Sequence, residues 1–248
     1  MSTTSRSLDS TPGARSTVAS RDRLFFGGMA ITMLVTVIVG FGPTYYFSTV
    51  SGTTFQLTGP LHLHGAVFTT WMVLLVVQTS LVAAGRTDVH RKLGVVGAVL
   101  ATLMMVLGAY VAITRFRAGL FNPPPGIPAG VLLAIALATI VVFPTLLAAA
   151  LLLRGRTDYH KRLVLIATSE LVLAAVARWP GVAELGPPGF FSLTDLFVVA
   201  IVIHDFSTRG RIHPATLWGG LFFIASEPLR LVIGFSRPWL AFCAWLAS

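Results

Sequence analysis

Six histidines and a few charged side chains set inside long apolar runs are the groups of this chain that could do chemistry. Imidazole changes charge near neutral pH and is a common metal ligand. Two of the histidines sit in a repeated tract: GRTDVHRKLG at 85–94 and GRTDYHKRLV at 155–164 give His90 and His160 equivalent places. If they face each other, they form a pair of axial ligands for a haem, or a metal pair. The plainer reading makes each tract a turn. Gly breaks the incoming helix, Thr or Asp caps the outgoing one, and Asp88 and Asp158 suit its positive end. Histidine is then only an interfacial polar residue. Residues 209–214, RGRIHP, form a third, degenerate copy.

A second constellation consists of charges within apolar segments, which are costly in a membrane and mark function by default. Arg178, Asp195, Glu227 and Arg230 fall at matching depth near one face, and their formal charges cancel. Glu227 and Arg230 are three apart and could pair along one helix face. His62 and His64 open a helix at the same face, and His64, Trp71 and Gln78 recur every seven residues on one side of it. Together His62, His64, Trp71, Gln78, Arg178, Asp195, Glu227 and Arg230 are expected to line an outward-facing binding pocket. The competing reading is a buried ion-pair network that fixes helix packing. Glu170 is expected nearer the inner side, and His204 and Asp205 read as solvated.

The elements that must position these groups are membrane spans. Of 248 residues 55% are hydrophobic and 11% charged, against about 25% charged in an ordinary soluble chain. Residues 24–85 and 118–153 contain no Asp, Glu, Lys or Arg. A bilayer core needs about 20 apolar helical residues, and the pattern predicts an all-α integral membrane bundle of seven helices near 24–47, 62–84, 95–114, 130–153, 163–179, 190–206 and 215–235. Residues 1–23 read as a disordered cytoplasmic tail, 24–236 as the transmembrane domain, and 237–248 as a short interfacial segment. Thirteen of the 18 basic residues fall in the tail and in the second-to-third, fourth-to-fifth and sixth-to-seventh connections, which predicts N-terminus in and C-terminus out. Those three connections join parallel hairpin repeats, and span one is extra. The net charge of +9 is then an attraction to anionic headgroups of the cytoplasmic membrane and not a nucleic-acid footprint. One cysteine, Cys243, excludes an internal disulfide.

The stretch HLHGAVFTTWMVLLVVQTSLVAAGRTDVHRKLG (62–94), with HDFSTRGRIHPATLWGG (204–220), resembles uncharacterised bacterial seven-helix, multi-pass membrane proteins. A more distant likeness is to transmembrane di-haem cytochromes b of the ferric-reductase type. That likeness implies His64 as an outer haem ligand and His90 with His160 as an inner pair holding haem b. Span four has no histidine to partner His64, so at most the inner haem is implied.

Three functions therefore stay open on sequence: small-molecule binding or transport through the outer pocket, haem- or quinone-linked electron transfer through His90 and His160, and a scaffold or accessory subunit without cofactor. A retinal protein is excluded, because Lys92 and Lys161, the only lysines, lie in inner connections.

Overall fold

The computed structural model describes residues 12–48, 50–51 and 58–248. Among the described residues there are eight α-helices: α1 Pro12–Phe41, α2 Gly59–Ala83, α3 Thr87–Arg117, α4 Ala129–Leu152, α5 Thr157–Val176, α6 Gly186–Arg209, α7 Pro214–Gly234 and α8 Arg237–Ala247. A π-helical turn, Gly42–Tyr46, extends α1, and no strand occurs among the described residues. Proline in the first turn opens α2, α6, α7 and α8, where a missing N–H costs nothing because it would be orphaned anyway. Gly85 and Gly210 follow α2 and α6 at φ of 75° and 67°, left-handed positions that release the chain into its turns.

Among the described residues, six helices are long and apolar enough to cross a membrane: α1 with its π-turn, α2, α3, α4, α6 and α7. This is an α-helical, multi-pass membrane protein. Exposed Val95, Val96, Val99 and Val106 on α3 and Leu229 and Val232 on α7 make a surface suited to hydrocarbon. In water such patches would drive aggregation.

The sequence pattern expects a seventh span where α5 lies, yet α5 is not among the six. It carries Asp158, Lys161, Arg162 and Glu170 within 20 residues. Its surroundings explain how it holds them. α5 packs against α1, α4, α6 and α7, and every residue from 165 to 173 is buried. A helix wrapped by other helices is matched to protein rather than lipid, so it can hold polar groups that an outer helix cannot. At Gly40 the α1 backbone comes so close to Ala175 of α5 that a side chain would run into the Ala175 carbonyl.

The segment expected as tail is partly helical, since α1 begins at Pro12 and runs on past the apolar stretch. Asp22 gives the reason, because its carboxylate is tied to α5 and α6. Residues 1–11 of that tail lie outside the described residues. α8 is only 11 residues long, about 16 Å at 1.5 Å per residue, and docks on α3, α4 and α7. Its Trp239 indole donates to the Gly130 carbonyl at 2.7 Å.

Candidate functional site

The end of the bundle that carries the α2–α3, α4–α5 and α6–α7 turns is here called the basic end. Toward the opposite end, α5, α6 and α7 enclose a charged interior. Arg230 of α7 donates through both terminal nitrogens to Glu170 of α5, at 2.7 Å to Oε1 and 2.6 Å to Oε2. Thr139 of α4 donates to the same Oε1 at 2.7 Å, and Arg230 also reaches Ser226. The Phe191 ring lies beside the guanidinium at 5.8 Å. Two parallel bonds of this kind fix both orientation and charge. Glu170, expected nearer the inner side, is thus the partner of Arg230, and the i,i+3 pairing with Glu227 does not form. Glu227 is buried with its Oε1 unpartnered, and Asp195 of α6 keeps an unpartnered Oδ1.

The remaining residues of the expected outer pocket are dispersed. His62 is exposed, and its carbonyl accepts from the Tyr45 hydroxyl. His64 packs against Phe68 with ring centres 4.2 Å apart and planes tilted by 34°. Trp71 meets Thr168 of α5 at 3.4 Å. Gln78 lies close to the basic end, where its amide donates to the His90 carbonyl. Arg178 sits just beyond α5 at the surface, 4.5 Å from the Phe41 ring centre. Two shallow grooves of about 350 and 400 Å³ open on the flanks, one beside Thr36 and Trp179, the other beside Pro60 and Tyr110. Both are apolar, and neither reaches the charged interior.

A feature links the scattered residues. Six buried side-chain polar atoms have no hydrogen-bond partner among the described residues, one each on His64, Gln78, His90, Asp195, Glu227 and Arg230. All six were singled out by sequence. Native interiors leave few such groups unsatisfied, and each calls for a cause.

At the basic end, sequence reasoning missed a second network. Arg162 and Asp205, both fully buried, form a direct ion pair. Thr216 and the His213 N–H donate to the other Asp205 oxygen at 2.6 and 3.1 Å. Asp22 binds Lys161 at 2.6 Å and His204 at 2.7 Å, and Arg209 bridges Asp22 and Asp158. His204 and Asp205 are therefore buried participants and not solvated ends. Burial alone would raise the Asp158 carboxyl, but Lys161, Arg209 and Arg162 hold it below its usual value. Burial and then the Arg162 charge push the His213 imidazole down. The available signal was charge balance: Asp22 and Asp158 are the acids beside dense basic tracts.

The repeated tracts take the same local form. In each, the histidine N–H donates to the arginine carbonyl four residues back, at 3.1 Å. Neither outgoing helix has a side-chain cap; Thr87 and Thr157 are already inside it. The helical starts bring His90 and His160 together, with ring centres 6.2 Å apart and planes at 84°. His160 Nδ1 is 2.9 Å from the Ala150 carbonyl. A carbonyl can only accept, so Nδ1 holds the proton and the lone pair is left on Nε2. His90 Nδ1 is buried and unpartnered. Metal-bound histidines are oriented in this manner, by a second ring N–H given to a carbonyl. At their separation of 6.2 Å the two imidazoles meet in a T-shaped ring contact. Among the described residues, no group of three or more His, Cys, Asp or Glu is placed to hold a metal ion.

Fold and site thus define a multi-pass helical membrane protein with a charged interior. No protein-family model, curated protein or solved structure matches the chain significantly.

Proposed function

We propose that the chain is a seven-span protein of the cytoplasmic membrane, with its basic end inside, that binds and passes a small polar solute through the interior of α5, α6 and α7. The observation that carries this reading is the set of buried polar atoms left without a partner on α6 and α7, on Asp195, Glu227 and Arg230. Leaving one such atom unmade costs about 1–3 kcal/mol, a cost that a bound solute with its own donors and acceptors removes. Polar groups within spans mark solute and ion paths, and carriers pass through closed states between their open ones. The 20-residue α5 spans about 30 Å, enough to be the central, seventh span. Anionic headgroups would surround the basic end.

The test is a melting-temperature screen of detergent-purified protein against small zwitterions, carboxylates and amines. At least one class raises the melting temperature of the wild type and leaves Arg230→Lys and Glu227→Gln unmoved. A screen in which no class shifts the wild type overturns the reading. Terminal tags test the topology: an N-terminal tag is protected in intact cells, and one after Ser248 is accessible.

A second reading has its own observation, the approach of His90 and His160. A haem held there would supply one-electron transfer, with the Ala150 carbonyl orienting His160 and Gln78 holding the His90 backbone. An absorption spectrum before and after dithionite tests it. A Soret band that shifts on reduction and is lost in His90→Ala supports electron transfer, and a featureless spectrum after expression with ample haem rejects it.

A further inference from the structure

We infer that the seam between the α2–α3 turn and the α4–α5 turn is a binding site for the phosphate headgroup of an anionic phospholipid. The two repeated tracts build it. His90 and His160 hold their ring centres 6.2 Å apart. Each histidine N–H is bonded to the carbonyl of an arginine one helical turn earlier, Arg86 and Arg156 respectively. Contact between the histidines therefore brings two cationic turns together, and Arg91 and Lys92 follow His90 directly.

The acids of this end are spent elsewhere. Asp22, Asp158 and Asp205 are taken by Lys161, Arg162 and Arg209, three against three. Asp88 lies 3.7 Å from Arg86, with the two side chains 67% and 63% exposed, a pair that water screens. Arg91, Lys92, Arg154 and Arg156 are exposed and have no acidic partner among the described residues. Arg154 donates to the Leu151 carbonyl at 3.1 Å, and Arg156 stands 5.7 Å from the Tyr159 ring centre. Neither contact neutralises a charge. Arg86, Arg91 and Lys92 against Asp88 on one turn, and Arg154 with Arg156 on the other, leave two positive charges on each side of the seam. Gln78 Oε1 and His90 Nδ1, at the same place, are buried polar atoms without a partner, so the protein's own groups do not complete the seam.

The surroundings favour a lipid over free phosphate. His160 is held by the Ala150 carbonyl, and Leu152, two residues on, is 81% exposed. Val82, Val95 and Val96 near the other turn are exposed as well. An acyl chain covers such an apolar rim while its phosphate meets the guanidinium groups, which bind phosphate through paired hydrogen bonds. Basic pockets between spans take anionic headgroups in this way. The site rests on the basic end lying among headgroups, and on neither the solute nor the haem reading.

The experiment is native mass spectrometry of the full-length protein in detergent, titrated with phosphatidylglycerol, phosphatidylcholine or soluble glycerol phosphate. The wild type prefers phosphatidylglycerol to phosphatidylcholine by on the order of tenfold. Arg91→Gln/Arg156→Gln loses that preference. Arg21→Gln/Arg23→Gln removes the same charge from exposed positions of α1 at the same end and keeps it. Lys92→Gln/Arg154→Gln takes away two other seam charges and reads the site independently, should the first variant fold poorly. Equal losses at the seam and on α1 would reduce the seam to a diffuse attraction and overturn the site, as would a wild type without preference. Displacement of the lipid by glycerol phosphate at equal concentration overturns the lipid as ligand. A failed solute screen or a featureless absorption spectrum leaves these results in place, so the proposals fail separately.

Discussion

Arg230 on α7 grips Glu170 on α5 with two parallel hydrogen bonds of 2.7 and 2.6 Å, and both side chains are buried. The residues are 60 positions apart, so the pair fixes how two distant helices are rotated toward each other. It also decides the fate of Glu227, which loses the neighbouring arginine and is left buried with an unpartnered Oε1. One long-range ion pair thereby leaves a second acid without a balancing cation.

Removing either member of the grip leaves the other charged and alone. Glu170→Ala and Arg230→Ala are each expected to destabilise the protein by about 3–5 kcal/mol. A Glu170→Met/Arg230→Met double variant should lose much less than the two single losses combined, since no buried charge remains. Melting in detergent measures all three. Additive losses would show that the two residues act independently.

Acid should loosen the basic end through Asp158. Its folded carboxyl is held below the ordinary 3.8 by Lys161, Arg209 and Arg162, against the opposing effect of burial. A depressed acid contributes stability that is complete above its unfolded value and is lost as pH falls through its folded one. Wild-type melting temperature is therefore expected to fall more steeply below about pH 4 than that of Asp158→Asn. The carboxylate is half exposed, which limits the difference to about 1 kcal/mol or less. Parallel slopes for the two proteins would remove Asp158 from the account.

Helix positions were legible because apolar run length is a local property. Six expected spans have counterparts in long apolar helices, and the repeated GRTD tracts brought His90 and His160 to matching first turns. Pairing was not legible. Glu227 lies three residues from Arg230, and spacing alone favours that neighbour, whereas the true partner depends on the rotation of α5 against α7. His204 and Asp205 looked solvated because they end an apolar run, and only the return of α1 through Asp22 and of α5 through Arg162 buries them. Asp195, Glu227 and Arg230 were legible from the cost of charges in apolar segments, His64 and Gln78 from their seven-residue spacing and His90 from the repeated tract, none of which depends on who their neighbours are.

His213 caps α7 through a nitrogen that must be unprotonated. Its Nδ1 accepts from the Ala215 N–H at 3.1 Å. Burial and then Arg162 push this imidazole below its ordinary 6.5, so the neutral form is the one folding favours. Its contribution is whole above pH 6.5 and fades as pH falls through the lowered folded value. His213→Ala should cost about 1 kcal/mol at pH 7.5, His213→Asn should restore most of it, and only the wild type should lose this increment in mild acid. Equal melting of wild type and His213→Ala at pH 7.5 would show that the cap contributes nothing.

The α1–α5 contact is tested by glycine. A side chain at Gly40 would meet the backbone of Ala175, which is the rigid core of the central helix and has nowhere to move. Gly27 sits on the same helix with nothing within 4 Å of its would-be side chain. Valine at either place changes helix propensity similarly, so the difference between them reports packing alone. Gly40→Val is expected to force α1 away from α5, exposing the Asp22 network and costing more than about 3 kcal/mol, while Gly27→Val stays within about 1 kcal/mol of wild type. Melting in detergent gives both numbers. Cysteine crosslinking between α1 and α5 then separates a shifted helix, which loses the crosslink, from a merely weakened one, which keeps it. Equal tolerance at the two glycines would mean that α1 does not lie against α5 as drawn, and the burial of α5, on which its polar load depends, would fall with it.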